Sequence, residues 1–275
     1  MKDLFGNTVV SLKEARGLDK FYTKEVVVKQ CLSKINFKDY DLVIEPSAGN
    51  GSFSKKIHHI NLVALDLYPE SKKIKKQNWF DFKIPKEFNR VLVIGNPPFG
   101  NRNTLSKKFI QHSLKFSNVT TIAFILPNVY KKYTLQKIIP SDWRIKKIID
   151  LGDDAFEING KTYHVPCSFF IFDKSKGIDL RTNPNDYIES KDFSWGTKED
   201  FDIFIFGAAP KKILTDFPHK NNRGYYIKSK IKIEILIKKI KDINWVGHSS
   251  VNGGVAWFTK MEIIKTYSEK YDYEK

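Results

Sequence analysis

The sequence predicts an α/β fold whose larger part is a doubly wound, Rossmann-like parallel sheet. Three observations support this prediction. Short apolar runs end at turn residues, helical periodicities lie between these runs, and polar side chains follow the runs where they end. The 275 residues suffice for one domain of about 175 residues and a smaller second one. We therefore predict a domain over residues 1–177 and a small C-terminal extension over residues 178–275.

The predicted elements of the first domain begin with a helix. Residues 24–35 carry apolar side chains at helical spacing, and Thr23 is a candidate N-cap in front of them. The predicted strands that follow are residues 41–44, 61–65, 91–95, 120–126, 145–151 and 168–172, and the predicted helices are residues 52–60 and 104–116. Strands that alternate with helices favour a parallel, doubly wound sheet.

The pattern weakens after residue 173. Residues 178–200 are polar and loop-like, and residues 231–237 fit both a strand and a helix, so both interpretations stay open. Residues 251–258 suggest a turn and a buried strand, and residues 261–271 predict a final helix. This part mixes basic residues with tyrosines and tryptophans, which suits either nucleic-acid contact and target recognition or a small packed extension.

The composition narrows the classes of function. The net charge of +16 fits a lysine-rich solvated surface or a polyanionic partner, and charge alone does not decide between them. The two cysteines are too few for a zinc site, and no histidine stands at metal-ligand spacing with both, so no metal is expected. The first residues of the sequence lack the apolar core of a signal peptide, and no segment reaches 18 uncharged apolar residues. We expect a cytoplasmic, reducing location (the host cytoplasm if the source is viral) and no membrane partner.

Residues Asn96, Pro97, Pro98 and Phe99 form the most informative motif, directly after the apolar run 91–95. Two consecutive prolines fix φ near −65° and remove two backbone donors. What remains is a stiff edge with one amide side chain, free carbonyl oxygens and one aromatic face. Such an edge suits a flat, poorly reactive amine such as the amino group of a nucleobase.

Polar residues also end the earlier runs, at Glu45, Asp66 and Asp81. In an open α/β sheet, ligands bind outside the carboxyl ends of the strands, so these side chains mark the candidate site. Asp66 suits the hydroxyls of a ribose, and its alternative role is a helix N-cap.

The loop from Glu45 to Gly51 reads Glu-Pro-Ser-Ala-Gly-Asn-Gly. It lacks the third glycine of the dinucleotide fingerprint, because Ser54 occupies that position. A carboxylate before the glycines would repel a pyrophosphate and suits a cationic or amine-bearing ligand instead.

Taken together, these motifs resemble the S-adenosylmethionine-dependent N6-adenine methyltransferases of the gamma type. The resemblance covers about residues 19 to 174 and rests on the following segments: Phe21-Tyr22-Thr23, Glu45 to Gly51, Asp66, Asp81-Phe82 and Asn96 to Phe99. It implies S-adenosylmethionine as the cofactor and S-adenosylhomocysteine as the product. The cofactor-binding residues that it implies are Tyr22, Thr23, Glu45, Pro46, Ala48, Gly49, Asn50, Gly51, Asp66, Leu67, Asp81, Phe82 and Asn96.

The same resemblance implies the roles at the acceptor. Asn96 and the Pro97 carbonyl would hold the target amine in the edge completed by Pro98, and Phe99 would stack on the target base. Phe172 is the favoured second aromatic wall; the alternative is that it belongs to the core. The loop 159–164 would close over the base or form a plain hairpin turn.

The predicted reaction is therefore methyl transfer to adenine N6 in DNA. RNA is the first alternative, because the same site accepts the same base. A protein glutamine amide is the second, and the N-terminal segment and the net charge of +16 argue against it. The oligomeric state, and whether a partner subunit exists, stay open at this stage.

Overall fold

The computed structural model describes residues 22–152, 154–158, 161–163, 165–182, 189–216, 223–245 and 257–271. The chain divides into two compact units. The first comprises residues up to 127 together with residues 137–180, and the second comprises residues 128–136 and those from 181 onward. Residues 128–136, which the predicted first domain includes, thus belong to the second unit.

The first unit is built from ten strands and two α-helices among the described residues. The strands are β1 (Tyr22–Thr23), β2 (Leu42–Glu45), β3 (Leu62–Asp66), β4 (Lys75–Lys76), β5 (Val91–Gly95), β6 (Val119–Pro127), β7 (Arg144–Asp150), β8 (Phe156–Ile158), β9 (Lys161–Tyr163) and β10 (Cys167–Asp173). The helices are α1 (Glu25–Leu32) and α2 (Thr104–Leu114).

A seven-stranded, mostly parallel sheet with the order β4-β3-β2-β5-β6-β10-β7 forms the centre of this unit. Strands β4, β3, β2, β5 and β6 run parallel, and β10 is antiparallel to both of its neighbours. The order reverses between β2 and β5, since the chain builds outward from β2 on one side and from β5 on the other. Such a switch point leaves a crevice at the carboxyl ends of the strands, so the α/β prediction is confirmed and the site has a defined place.

The central strands are buried on both faces. Every residue of β2, β5 and β10 is buried, as continuous apolar runs predict for strands covered on both sides. On one face, Val27, Val28 and Cys31 of α1 join this core. The predicted strands in residues 41–172 are confirmed, with each bound shifted by at most one residue.

Two local predictions near the first helices are wrong. Residues 52–60 form only a short 3-10 turn, Ser54–Lys56, because Phe53 and Ile57 are buried whereas Ile60 is 96% exposed. One apolar turn cannot hold a longer helix against the sheet. Thr23 is not the N-cap of α1; it lies in β1, and Lys24 occupies the cap position without a side-chain hydrogen bond.

A small antiparallel sheet with the order β1-β8-β9 adds to the first unit. Tyr22 pairs with Glu157 and Thr23 with Phe156, and the Lys24 N–H donates to the Ala155 carbonyl at 3.0 Å. The pairing of β8 with β9 fits the hairpin interpretation of residues 159–164, of which 159, 160 and 164 lie outside the described residues.

The second unit is an antiparallel sheet covered by helices on one face. Its strands, in the order β11-β14-β12-β13, and its helices are β11 (Phe193–Trp195), β12 (Ile203–Phe206), β13 (Ala209–Leu214), β14 (Gly224–Ser229), α3 (Tyr133–Gln136), α4 (Ile233–Asp242) and α5 (Lys260–Tyr271). Leu236 and Ile240 are buried four residues apart, so the ambiguous stretch 231–237 enters a helix at Ile233. The predicted final helix is confirmed as α5, and most of the strand predicted in 251–258 lies outside the described residues. No helix in the described part of the chain is long and apolar enough to cross a membrane.

Candidate active site

A cleft of about 470 Å³ opens at the carboxyl ends of β2, β3 and β5, where the strand order reverses. It brings together residues that lie far apart in the sequence and that the sequence singled out. The predicted site residues that line it are Tyr22, Thr23, Glu45, Pro46, Ala48, Gly49, Asn50, Asp66, Leu67, Asn96, Pro97, Pro98 and Phe99. Four other predicted residues do not line it, namely Gly51, Asp81, Phe82 and Phe172.

Glu45 is a buried carboxyl group in the lining of the cleft. Its side chain is 2% exposed, and its Oε2 accepts a hydrogen bond from the Ser54 N–H at 2.9 Å. Burial raises the pKa of Glu45 to about 8, the hydrogen bonds from Ser54 oppose this shift, and the Asp66 charge adds to it. A buried carboxyl group that titrates near neutral pH becomes ionised when a cation binds beside it, so Glu45 suits an ammonium group.

The neighbouring strand leaves room for Glu45 only because it ends in glycine. Gly95 has φ +148°, and a Cβ on it would stand 3.3 Å from the Glu45 Cγ. Both the backbone conformation and the close approach of a side chain therefore require glycine at this position.

Asp66 holds the glycine loop in place. Its two carboxylate oxygens accept hydrogen bonds from the Gly49 N–H at 2.8 Å and from the Tyr68 N–H at 2.7 Å. The next regular element after β3 is β4, not a helix, so the helix N-cap alternative for Asp66 is wrong. Each oxygen retains a lone pair for a ligand hydroxyl. Gly51 takes a positive φ of +83° in the same loop, so its role there is in the turn.

Asn96 carries an unpartnered acceptor. Its Nδ2 donates to the Thr23 Oγ1 at 3.3 Å, and its backbone carbonyl accepts from the Ser47 Oγ at 3.2 Å. Its Oδ1 is buried and has no hydrogen-bond partner. Because buried polar atoms are nearly always paired, an orphaned oxygen in a cleft points to a ligand that donates a hydrogen bond there.

Phe99 forms the aromatic part of the same edge and meets Phe156 edge to face, with ring centroids 6.1 Å apart. Sequence reasoning missed Phe156, which is fully buried at the start of β8. The signal was available, because residues 154–156 follow shortly after the carboxyl end of β7 and so lie at the same edge of the sheet as the other site residues.

The cleft wall near residue 80 is formed by residues that precede the predicted Asp81 and Phe82. Asn78, Trp79 and Phe80 line the cleft, whereas the exposed Asp81 side chain accepts from the Asn78 Nδ2 at 3.0 Å. Phe82 is buried beside Trp79, with ring centroids 6.1 Å apart. The 3-10 turn at Trp79–Asp81 accounts for this difference. Its first two residues, Trp79 and Phe80, line the cleft, whereas its third residue, Asp81, is exposed.

Helix α2 supports this wall from behind. Phe109 lines the cleft and packs edge to face on Phe80 at 5.1 Å, and His112 packs on Trp79 at 5.1 Å. Burial lowers the pKa of His112, so the histidine is neutral against these rings. The Trp79 Nε1 is buried without a hydrogen-bond partner, which leaves a second orphaned polar atom on a residue of the cleft.

Phe172 lies in the core and not at the site. It is 1% exposed, stacks on Phe170 at 5.9 Å, and pairs across the sheet with Ile122 and Ile145. Strand β10 lies between two other strands with both faces covered, so none of its phenylalanines reaches the crevice. The choice of Phe172 as the second aromatic wall therefore fails, and Phe156 is the aromatic residue beside Phe99.

Tyr22 links β1 to the segment that follows β3. Its hydroxyl donates to the Glu70 Oε1 at 2.6 Å, and the Glu70 N–H donates to the Gly49 carbonyl at 3.1 Å. This link ties the N-terminal strand to the glycine loop beside the cleft. Among the described residues, no cluster of three or more histidine, cysteine, aspartate or glutamate side chains is arranged to hold a metal ion.

Comparisons with known proteins found similar solved structures only. A chain from a structure of the type I R-M system is 13% identical over 55% of this chain and 42% of that one, with a TM-score of 0.41. A modification subunit of a putative type I restriction enzyme from Vibrio vulnificus YJ016 is 15% identical over 69% and 53%, with a TM-score of 0.40. The 23S rRNA methyltransferase ErmE is 10% identical over 57% and 72%, with a TM-score of 0.42.

No protein-family model matches the chain, and no curated protein matches it significantly. The chain spans 42% and 53% of the length of the first two structures named above. Similarities of this size do not assign a function to the chain.

Proposed function

We propose that this chain is a methyltransferase that moves a methyl group from S-adenosylmethionine to the N6 amino group of adenine in DNA. One observation carries the proposal. The buried, unpartnered Asn96 Oδ1 lies on a proline-stiffened edge of the same cleft that contains Glu45, a carboxyl group suited to a cation. The cleft thus offers an acceptor for an amine and a site for a positively charged cofactor.

The residues of the cleft fit S-adenosylmethionine in three parts. Glu45 and the glycine loop suit its ammonium group and amino-acid moiety. Asp66 keeps lone pairs for the ribose hydroxyls, and Phe80 with Asn78 offers a ring and an amide for its adenine. When bound, the cofactor supplies a methyl group that its sulfonium charge already activates.

Asn96 and Pro97 act on the acceptor nitrogen. The N6 lone pair of adenine is delocalised into the ring and attacks poorly. When the Asn96 Oδ1 and the Pro97 carbonyl each accept an N–H of the amine, they favour a more pyramidal nitrogen with a directed lone pair. The nitrogen–carbon bond then forms as the sulfur–carbon bond breaks, and the methylated nitrogen releases one proton to water. Positioning for in-line transfer supplies most of the acceleration, so no strong base is required.

Phe99 holds the ring of the target base. Stacking on an aromatic side chain contributes about 1–3 kcal/mol per base. In duplex DNA this gain offsets part of the cost of flipping the adenine out of the stack. Phe156 holds the Phe99 ring from its edge, so the stacking face is fixed before the base arrives.

A transfer assay with tritiated S-adenosylmethionine tests the proposal. We expect label on adenine-containing DNA and none on matched DNA in which every adenine is replaced by N6-methyladenine. RNA of the same sequence is the second arm, because it presents the same base edge, and preferential labelling of RNA would select that alternative. Label on protein alone, or the absence of S-adenosylmethionine binding in calorimetry, would overturn the proposal.

A further inference from the structure

The two sides of the cleft differ in charge. The side of the cleft that is proposed to bind the cofactor, the cofactor side, contains the carboxyl groups of Glu45 and Asp66, and Glu70 accepts a hydrogen bond from the cleft residue Tyr22. On the acceptor side, the sequence from residue 88 to residue 127 contains no aspartate or glutamate, and its cations are Arg90, Arg102, Lys107, Lys108 and Lys115. This stretch includes β5, the Asn96–Phe99 edge and α2, so the only formal charges within it are positive.

A strained turn holds Arg102 next to the acceptor edge. Arg102 has φ +51° and Asn103 has φ +62°, and they are the only non-glycine residues with positive φ among those the structure describes. Gly100 before them also has φ +67°, and a Cβ there would stand 2.9 Å from the Leu105 Cγ. Side chains other than glycine are disfavoured in this conformation, and such residues cluster at functional sites.

Local hydrogen bonds keep the turn in this conformation. The Phe99 carbonyl accepts the Leu105 N–H at 3.2 Å, and the Asn103 N–H donates to the Gly100 carbonyl at 3.3 Å. The Ser106 Oγ donates to the Asn103 carbonyl at 3.2 Å. The turn is thereby tied to Phe99 on one side and to α2 on the other, while the Arg102 side chain stays exposed and in no ion pair with the described carboxylates.

Helix geometry adds Lys108 to the same side. Leu105 and Phe109 of α2 line the cleft. Lys108 lies about 60° around the helix from Leu105, next to the stripe that faces the cleft, because successive residues are about 100° apart. Lys107 lies about 160° from Leu105, on the opposite side of the helix. The exposed Lys108 therefore flanks the cleft and the half-buried Lys107 does not.

We propose that Arg102 and Lys108 bind the phosphate groups on either side of the target nucleotide and so position its base against Phe99. This inference rests on the proposed function and specifies its substrate as a polyanionic strand. Phosphodiester groups are common to DNA and RNA, and the guanidinium fork of Arg102 matches a phosphate in charge and geometry. Neither residue contacts the acceptor nitrogen, so both are positioning residues.

The test is the salt dependence of binding by the full chain to an adenine-containing single-stranded DNA oligonucleotide, with the matching RNA as a second arm. Log affinity falls linearly with log salt concentration, and each lost phosphate contact makes this decline less steep by about 0.7 for a single strand. We expect Arg102→Gly and Lys108→Ala each to make the decline less steep by this amount and to raise KM for the oligonucleotide about 3- to 10-fold. S-adenosylmethionine affinity should stay unchanged.

Two further variants separate this role from a structural one. Glycine at position 102 tolerates the left-handed backbone, so Arg102→Gly keeps the fold, and Arg102→Lys should restore most of the slope. Lys107→Ala is the matched control and should leave slope and KM unchanged. If Arg102→Gly and Lys107→Ala behave alike while the native chain methylates DNA or RNA, the inference is overturned and the proposed function stands. If the native chain methylates neither, the proposed function fails as well.

Discussion

The proposed cofactor side and the proposed acceptor side of the cleft differ in how their polar groups are held. On the cofactor side, Glu45 and Asp66 already accept hydrogen bonds from the backbone, so these groups are held in place before any ligand arrives. On the acceptor side, the Asn96 Oδ1 has no partner, and Arg102 lies exposed on a strained turn. We infer that the cofactor side is already ordered for a cationic ligand. On the acceptor side, the Asn96 Oδ1 gains its hydrogen-bond partner only when the substrate binds.

The largest effect should come from the unpartnered acceptor. Asn96→Ala should lower the rate of methyl transfer about 10²–10³-fold, because the hydrogen bonds that direct the amine lone pair lose one of their two acceptors. Cofactor affinity should change less than about threefold. Single-turnover transfer and calorimetry measure the two quantities, and Asn36→Ala, at an exposed asparagine near the other end of β2, is the control. Loss of both methyl transfer and cofactor binding in Asn96→Ala would contradict the assignment of Asn96 to the acceptor side.

The pH dependence of stability tests the burial of Glu45. Its pKa is about 8 in the folded chain against an ordinary value of 4.5, so the folded state binds one more proton between these values. The free energy of unfolding should therefore fall as pH rises from about 5 to about 8, by an amount on the order of 3–4 kcal/mol. Denaturant titrations at several pH values should show this decline in the native chain and its loss in Glu45→Gln. Equal slopes for both proteins would mean that Glu45 is hydrated.

The same carboxyl group should govern cofactor affinity. Glu45→Gln removes the charge that meets the ammonium group, and a hydrogen bond to a charged group contributes about 1.5–3 kcal/mol. Affinity for S-adenosylmethionine should therefore fall about 10- to 100-fold in calorimetry. S-adenosylhomocysteine, which has the same ammonium group without the sulfonium, should lose as much. A loss confined to S-adenosylmethionine would place Glu45 near the sulfur instead.

The smallest effect should come from the aromatic pair at the acceptor side. Phe156→Leu removes the ring that fixes Phe99, and such a pair contributes about 1 kcal/mol. The expected result is about a fivefold lower kcat/KM for the DNA acceptor at unchanged cofactor affinity. Phe172→Leu changes the same residue type within the core sheet, so it should lower stability and leave kcat/KM unchanged. The reverse outcome would restore Phe172 to the site.

Residue patterns predicted the strands of the first unit well, because strands covered on both faces require continuous apolar runs such as those at β2 and β5. They failed at residues 52–60, where a helix was predicted. Only Phe53 and Ile57 are buried there, so the segment forms one short 3-10 turn. They also left most strands of the second unit unassigned, since strands such as β13 and β14 mix apolar residues with lysine and therefore give a weaker signal.

The sequence by itself determined which segments meet at the cleft. Parallel strands bring their carboxyl ends to one edge, so polar residues that follow apolar runs had to converge there, and Glu45, Asp66 and Asn96 do. The tertiary structure decided which neighbours face the ligand. Phe80 lines the cleft instead of Phe82, and Phe156 meets Phe99 instead of Phe172, because the direction of a side chain is set by the turn or the strand partners around it.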